Sequence, residues 1–342
     1  MKNKDKVFNN VCYVSTLYAL LLYLLNSEDD NLDDTLYILD PSFPKGYENR
    51  LKYSVRVPNI KIKSRIDIWK DWLAYKLFFA LKLPPISKDA QYYIQDHKYP
   101  AKILCRNTEY TLIEDSPGVC SRYFENSYGE RMLKSRKKWN YHILKWLYGP
   151  LYGYHFGCSK LCTALLFTTD DNHPNLDGKK RVIIPKIDNT LWYSLSEFKR
   201  RRILEIYDLT PDDLDAICRK KYLLLTDPVW PDDAPYDEHD RIFHKILQNY
   251  PKDEVVIKTH PRDLHYPYEK EFPGISVFRK AIPMEIFKLL GTQFSTIVTL
   301  FSTAVSQFDG VDIDWYGTEV SEYCFKHYGH INPPVKVNEK SI

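Results

Sequence analysis

The sequence predicts an α/β protein of two domains, each built around a parallel sheet. The chain has 342 residues, which is long for one domain and suits two, each able to bury a core. Short apolar runs that end in polar turns alternate with helical segments along the chain. Such alternation is typical of parallel sheets covered by helices on both faces. We place the boundary between residues 210 and 211, giving domains 1–210 and 211–342.

Composition excludes several classes of protein. The apolar content of 44% indicates a globular chain, and the net charge of +3 gives no electrostatic footprint for nucleic acid. The seven cysteines form no evenly spaced framework, which indicates reduced thiols and a cytoplasmic protein.

The N-terminus resembles a secretory signal, because a lysine-rich start precedes an uncharged run from Val11 to Leu25. That run is shorter than the roughly twenty residues a spanning helix needs, and no small-x-small cleavage site follows it. We therefore predict a strand over 7–14, a turn at Ser15 and Thr16, and a buried helix over 17–25.

The remaining elements follow in order. In the first domain we predict strands at 35–40, 101–106, 109–115, 162–171 and 180–187, and helices at 64–85, stopped by two prolines, and at 195–209. In the second domain we predict strands within 220–228, 254–263 and 294–301, and helices at 236–250, 281–291 and from 302 onward.

Ligands of parallel sheets bind beyond the carboxyl ends of the strands, so the polar residues there are the candidates for function. They are the pairs Ser15-Thr16, Glu114-Asp115, Thr226-Asp227, His260-Pro261 and Ser302-Thr303.

Four features of the second domain together suit one nucleotide. His260 can donate to an anionic oxygen or protonate a leaving group, and Pro261 offers an apolar ring to a flat base. Glu285, in the first turn of a helix, can accept hydrogen bonds from ribose hydroxyls. Ser302 and Thr303 stand where a helix start could bind phosphate. The glycine motifs of P-loop and dinucleotide folds are absent from the sequence.

A second pattern concerns acids. Glu114 and Asp115 end a strand and enter a turn with Pro117 and Gly118, where a carboxylate could deprotonate a sugar hydroxyl. An acidic loop before residue 240 offers a competing carboxylate, Asp237, for which helix capping is the structural alternative.

These segments resemble a known family. "VVIKTHPRD", "IPMEIF" and "LFSTAV", in that order, resemble the bacterial sialyltransferases of glycosyltransferase family 52, which make sialylated lipooligosaccharide and capsule chains. Those enzymes and their relatives share an acid-acid-glycine motif, an HP motif and a Ser/Thr motif. "VCYVSTLYALLLYLL" also resembles the first strand and helix of the family.

The resemblance implies a GT-B fold of two Rossmann-like domains with an interdomain cleft, acceptor on the N-terminal side and CMP-sialic acid on the C-terminal side. It implies inverting transfer, without metal or cofactor, to a terminal sugar hydroxyl such as that of galactose. His260 would stabilise or protonate the leaving phosphate and Pro261 would pack on cytosine. Glu285 would bind ribose, and Ser302 with Thr303 the phosphate.

Asp115 would match the general base, with Ser15, Thr16 and Glu114 as further substrate-binding candidates. The match departs from the motif, because Ser116 and Pro117 stand between Asp115 and Gly118. Asp237 therefore stays a competing base. Another nucleotide sugar as donor, or a homologue that binds nucleotide without catalysis, also stays open.

The partners implied are a CMP-sugar donor and a glycan acceptor carried on lipid, with no nucleic acid; a homodimer is left open. Basic stretches at 131–146 and 198–202 suggest peripheral docking on the inner face of the cell membrane. Two D-x-D sequences, at 213–215 and 312–314, resemble metal motifs of other glycosyltransferases but lie away from the predicted ligand positions, so we expect no metal there.

Overall fold

The computed structural model describes residues 6–60, 67–120, 139–169, 173–184, 186–227, 236–260, 266–308 and 310–341. The chain divides into two compact units. The first comprises residues 1–187 and 195–206, and the second comprises residues 188–194 and 207–342. A short segment that precedes the second unit in the chain therefore belongs to it.

The first unit contains a parallel sheet of seven strands. They are β1 (Phe8–Val14), β2 (Thr35–Leu39), β3 (Ser54–Arg56), β4 (Ile86–Ile94), β5 (Tyr110–Ile113), β6 (Cys162–Phe167) and β7 (Lys180–Ile183). Their order is β3-β2-β1-β4-β5-β6-β7, and every pairing is parallel. β1 pairs with β2 on one side and β4 on the other, and its last four residues are buried.

Helices connect these strands. They are α1 (Leu17–Asn26), α2 (Asp29–Leu32), α3 (Asp67–Lys82), α4 (Tyr99–Leu104), α5 (Trp139–Tyr148), α6 (Asn189–Ser194) and α7 (Glu197–Tyr207), of which α6 lies in the second unit. α1 is buried from Leu17 to Leu25, as its uncharged sequence predicts. Among the described residues, no helix is long and apolar enough to cross a membrane.

The second unit has a parallel sheet of six strands: β8 (Tyr222–Leu225), β9 (Val255–Lys258), β10 (Ser276–Phe278), β11 (Thr296–Thr299), β12 (Asp312–Trp315) and β13 (Asn338–Glu339). Their order is β10-β9-β8-β11-β12-β13. The helices are α8 (Pro211–Cys218), α9 (Tyr236–Leu247), α10 (Tyr268–Glu271), α11 (Glu285–Leu289) and α12 (Glu322–Tyr328). The predicted α/β class with two parallel sheets is confirmed.

One predicted strand was wrong, and β4 was among the strands not predicted. Residues 101–106 were expected to form a strand, but residues 99–104 form α4, which Pro100 starts because its fixed φ suits a first helical turn. β4 was missed because its first half, with Lys88 and Asp89 exposed, does not show a strand-like apolar pattern. Short apolar runs do not separate helix from strand by periodicity.

Candidate active site

A hydrogen-bonded cluster joins the carboxyl ends of three neighbouring strands, β1, β4 and β5. Gln95 follows β4 and is fully buried. Its carbonyl oxygen accepts from the backbone N–H of Ser15 and from the Ser15 hydroxyl, the latter at 2.9 Å. Its amide nitrogen donates to Asp115 Oδ1 and, at 3.4 Å, to Thr16 Oγ1. The structure thus brings together Ser15, Thr16 and Asp115 through a residue that the sequence did not single out.

Thr16 also has a structural task. Its hydroxyl oxygen accepts from the backbone N–H of Ala19 at 3.2 Å and so caps α1. The cluster is therefore fixed to the first turn of a buried helix. Asp115 is half-buried, and the cluster holds one of its oxygens in place.

Glu114 is buried and accepts four hydrogen bonds. Oε1 accepts from the Gly118 N–H at 2.7 Å. Oε2 accepts from the N–H and hydroxyl of Thr168, at 2.9 and 3.0 Å, and from the Tyr18 hydroxyl at 3.1 Å. Burial raises the pKa of this carboxyl, while these donors act in the opposite direction. The arrangement suits a residue that shapes the turn carrying Asp115.

Gly118 is needed for that turn. Its φ of +66° lies in the left-handed region, which glycine adopts without steric cost. The turn closes on Glu114 through the Gly118 N–H. The left-handed turn therefore explains why a glycine stands at position 118, although Ser116 and Pro117 separate it from Asp115.

His97 lies beside this cluster. Its ring stacks on Phe156, with centroids 5.0 Å apart. Asp96 holds Phe156 in a left-handed conformation, φ 51°, by accepting from its N–H at 2.6 Å. Burial lowers the His97 pKa, although the Asp115 carboxylate opposes the shift. Nδ1 of His97 is buried with no hydrogen-bond partner among the described residues.

His97 also lines a cavity of about 330 Å³ at the same edge of the sheet. The cavity is lined by carboxylate, amide, imidazole and aromatic side chains, among them Asp40, Asn59, Asp71, Tyr75, Tyr99 and Tyr148. Carboxylates and aromatic rings are groups that bind sugar hydroxyls and sugar faces. The volume falls within the range of small-molecule sites.

In the second unit, β8, β9 and β11 end side by side. The hydroxyl of Thr226, after β8, accepts from the backbone N–H of His260, after β9, at 2.8 Å. The Thr299 hydroxyl, at the end of β11, accepts from the Ser302 N–H at 3.0 Å. His260 and Ser302 are both half-buried. These two predicted residues thus lie just beyond the ends of β9 and β11, the strands on either side of β8.

Asp227 lies between them and is almost completely buried, with 4% of its surface exposed. Oδ2 accepts from the Thr299 hydroxyl at 3.2 Å and from the Phe301 N–H at 3.3 Å. Burial raises the pKa of Asp227 to about 7, against these hydrogen bonds. Its proton is therefore retained far above the range of an ordinary aspartate.

Glu285 is the first residue of α11, so it lies in the first turn of a helix as the sequence predicts. Its side chain is buried. Ser302 precedes a short helical segment, Thr303–Gln307, and its side chain makes no capping hydrogen bond. Pro261 and the side chains of Thr303 and Asp237 lie outside the described residues. Asp237 is the second residue of α9.

Lys258 ends β9 beneath the site. It is buried, and its ammonium donates to the Thr259 carbonyl at 2.8 Å. Burial lowers its pKa to about 8. A cation held there contributes positive charge close to the strand ends.

Both D-x-D sequences have structural contacts. Asp213 is part of the capping box that begins α8 and pairs with Lys280 at 2.6 Å. Asp215 pairs with Arg219 on the same helix. Asp314, on β12, accepts from the Tyr250 hydroxyl and lies 3.4 Å from the Lys340 ammonium.

The sequence does not point to Gln95 and His97, because β4 lacks a clear strand pattern and its carboxyl end is therefore not predicted. Asp227 is predicted to follow a strand, and the sequence assigns it no role. Asp227 lies beside the end of β11, which Ser302 follows, because the strand order is β9-β8-β11. No pattern in the sequence predicts that order.

The chain belongs to glycosyltransferase family 52. The family model matches residues 74–321, more than half of the chain. The match contains Asp115, His260, Glu285 and Ser302, the residues that the two strand-end clusters and α11 position.

The chain is also similar to individual proteins over most of its length. An uncharacterized protein of Haemophilus influenzae is 26% identical over 329 residues, which is 94% of this chain and 98% of the relative. The GT-B domain of a sialyltransferase from Photobacterium damselae has 12% identity, a TM-score of 0.56, and coverage of 93% of this chain and 94% of the other. The predicted GT-B fold is confirmed.

A second solved structure is a 2,6-sialyltransferase of a Vibrionaceae Photobacterium species in a ternary complex with the donor product CMP and lactose. It has 11% identity and a TM-score of 0.56, with 93% of this chain and 74% of that chain covered. At this identity the likeness establishes the fold alone.

Proposed function

We propose that this family 52 member is an inverting sialyltransferase that uses CMP-sialic acid as its donor. The observation that carries the proposal is the arrangement at the carboxyl edge of the second sheet. His260 follows β9 and Ser302 follows β11, the strands on either side of β8, and Glu285 begins α11. A proton donor, a hydroxyl and a ribose-binding carboxylate together suit a nucleoside monophosphate. The fold is shared with a sialyltransferase crystallised with CMP.

The chemistry is a single displacement at the anomeric carbon. The acceptor oxygen forms a bond to that carbon while the bond to the CMP phosphate oxygen breaks. A base takes the acceptor proton, and donors stabilise the negative charge that develops on the phosphate. We assign stabilisation of the leaving phosphate to His260, with Ser302 and Thr303 also binding the phosphate. Glu285 would bind the ribose, and Pro261 would pack on the cytosine ring. No metal is part of this scheme.

For the base we propose Asp115, with Asp237 as the competing residue. Support for Asp115 comes from its fixed position, since Gln95 holds one of its oxygens against the ends of β1 and β4. The acceptor would occupy the cavity lined by His97, Tyr75 and Tyr148 in the same unit. A terminal galactose of a lipid-linked surface glycan is the acceptor class we propose, reached from the cytoplasmic face of the membrane.

A panel of nucleotide sugars tests the donor. We expect CMP release from CMP-sialic acid, faster with lactose present, and no UDP release from UDP-galactose or UDP-N-acetylglucosamine. Release of UDP alone would show that the donor is a UDP-sugar and not CMP-sialic acid. Binding of CMP with no turnover on any glycan acceptor would favour a nucleotide-binding homologue.

A further inference from the structure

Lys258 is a buried cation without a counter-ion among the described residues. It is the last residue of β9, and 4% of its surface is exposed. Its ammonium donates to the Thr259 carbonyl at 2.8 Å and lies 5.8 Å from the centre of the Phe278 ring. A charge is costly to bury unless hydrogen bonds and an opposite charge replace the water it loses. A carbonyl and an aromatic ring replace only part of that hydration.

Two other lysines are buried among the described residues, and each has more partners than Lys258. Lys102 donates to two backbone carbonyls, at 2.7 and 3.3 Å. Lys199 donates to a backbone carbonyl and lies 3.7 Å from Asp29. Lys258 has neither a second carbonyl nor a carboxylate in the part of the chain that the structure describes.

Neither basic segment noted in the sequence belongs to the second unit. In the segment 198–202, Arg202 pairs with Asp33 at 3.0 Å and with Glu205 at 2.7 Å. In the other segment, residues 131–138 lie outside the described residues. Within the described part of the second unit, Lys258 is therefore the buried lysine.

Charged groups on the elements around Lys258 have partners of their own. Asp227, after β8, accepts from residues at the end of β11, and Arg279, after β10, pairs with Glu269 at 2.6 Å. The acids of α9 accept from hydroxyl groups: Glu238 from Ser321, and Asp240 from Tyr266. Burial lowers the pKa of Lys258 to about 8.

The hydrogen bond of Lys258 fixes one half of a peptide group whose other half is also fixed. This peptide joins Thr259 to His260. Its carbonyl accepts from the Lys258 ammonium, and its N–H donates to the Thr226 hydroxyl at 2.8 Å. Because a peptide group is planar, holding both ends sets the direction in which the chain enters His260.

Backbone pairing ends just before this peptide. The Thr226 N–H donates to the Lys258 carbonyl at 3.2 Å, and the Thr259 N–H donates to the Phe278 carbonyl at 3.1 Å. At the next peptide, two side chains, those of Lys258 and Thr226, take over from the strand ladder. Lys258 thus combines a hydrogen bond that orients the chain with a charge at the carboxyl end of β9.

We propose that Lys258 is a positioning residue of the nucleotide phosphate site, orienting the peptide that precedes His260 and supplying a fixed positive charge to the bound phosphate. The inference rests on the proposed function, in which the leaving phosphate lies beside His260. A hydroxyl such as that of Ser302 carries no charge, so a phosphate at this edge gains its charge complement from elsewhere. A buried ammonium acts on it through a medium of low dielectric constant, without contact.

Charge action links nucleotide binding to protonation. A group whose pKa is about 8 is half protonated at pH 8. A bound phosphate stabilises the charged form of Lys258, so binding should complete its protonation. CMP affinity should therefore fall as pH rises above 8. A lysine that only anchored the turn would couple to neither pH nor nucleotide.

Isothermal titration calorimetry of the full chain with CMP tests the proposal, in two buffers of different ionisation enthalpy at pH 8. We expect the wild type to take up about half a proton per CMP bound. Lys258→Met should bind CMP at least about tenfold more weakly, because a charge near the phosphate is lost, and should lose that uptake. Lys258→Arg keeps the charge and should bind CMP more tightly than Lys258→Met.

Controls separate this effect from unfolding and from other titrating groups. Methionine suits an apolar site, so Lys258→Met should keep the wild-type Tm or raise it. Lys245→Met changes an exposed lysine in the last turn of α9 and should alter neither CMP affinity nor proton uptake. Asp227→Asn and His260→Ala each remove a titratable side chain of the same edge, and the uptake at saturating CMP should remain in both.

Unchanged CMP affinity in Lys258→Met would overturn the proposal. A weaker affinity with the proton uptake of the wild type would also overturn it, because Lys258 would then be a turn anchor alone. CMP binding needs no turnover, so the two proposals fail separately. A chain that takes up the proton with CMP but transfers no sialic acid contradicts the proposed function only. An active sialyltransferase whose Lys258→Met variant binds CMP normally contradicts this inference only, and a wild type that binds no CMP contradicts both.

Discussion

Two buried carboxylates, Glu114 after β5 and Asp227 after β8, each bind the end of a neighbouring strand but accept hydrogen bonds from different sets of donors. Each accepts hydrogen bonds from backbone and hydroxyl groups at the end of the strand beside it in the sheet. Glu114 accepts from Thr168 after β6, and Asp227 accepts from Thr299 and Phe301 at the end of β11. Glu114 gains two further donors, from Gly118 and Tyr18. Burial raises the pKa of both carboxyls against these hydrogen bonds, and the pKa of Asp227 reaches about 7.

The candidate site residues differ in a related way. In the first unit, side chains hold one another, since Gln95 bonds to Ser15, Thr16 and Asp115. In the second unit, hydroxyls hold the backbone, as Thr226 does for His260 and Thr299 for Ser302. The first pattern fixes the position of a carboxylate, and the second fixes the course of the chain from which His260 and Ser302 project.

The largest expected effect is loss of the base. Asp115→Asn should lower kcat about a thousandfold, because amide nitrogen cannot accept the acceptor proton. Asp237→Asn is the matched comparison and should change kcat by less than about threefold. Steady-state rates with CMP-sialic acid and lactose measure both. If instead Asp237→Asn abolishes turnover and Asp115→Asn does not, the cluster around Gln95 is a scaffold and the base lies on α9.

The next largest effect on rate should come from losing the residue that stabilises the leaving phosphate. His260→Ala should lower kcat by about a hundredfold or more, since a donor to the developing phosphate charge is removed. His327→Ala, an exposed histidine on α12, is the control. A near-normal rate in His260→Ala, with CMP affinity retained, would remove this residue from the mechanism.

Gln95→Leu should have a smaller effect, about tenfold on kcat, because Asp115 stays in place but loses its partner. Gln95 takes up no proton in the reaction, so a positioning role predicts a lower kcat at an unchanged KM for CMP-sialic acid. A fall in kcat accompanied by a higher KM and a lower Tm would indicate a purely structural residue.

The smallest effect concerns stability. The Asp227 pKa is raised from 3.8 to about 7 in the folded state, so the fold favours the protonated form. The free energy of unfolding should fall as pH rises from about 4 through 7, and the cost is complete above that window. Asp227→Asn should thus raise Tm at pH 8 by about 5 °C and change it little at pH 4. Equal differences at both pH values would show that Asp227 does not titrate there.

Much of the fold followed from the chain itself. The runs at 8–14, 222–225 and 255–258 are apolar and bounded by polar turns, and each is a strand in the structure. Parallel strands put their carboxyl ends on one edge, so Asp115, His260 and Ser302 could be named before any coordinates. Their roles remain predictions.

The remainder depended on contacts between segments distant in sequence. Local apolar patterns encode the α/β class, the strand-end residues and the burial of α1, so these features could be predicted from the amino-acid sequence. Contacts across 80 and 20 residues, by which Gln95 joins Ser15 to Asp115, and the burial of Asp227 beside β11 arise when the chain packs, and no local pattern encodes them. The tertiary contacts also select the side of α3 that packs against the core, because Leu73 and Leu77 on its exposed side are as apolar as Phe78 and Phe79 on its packed side.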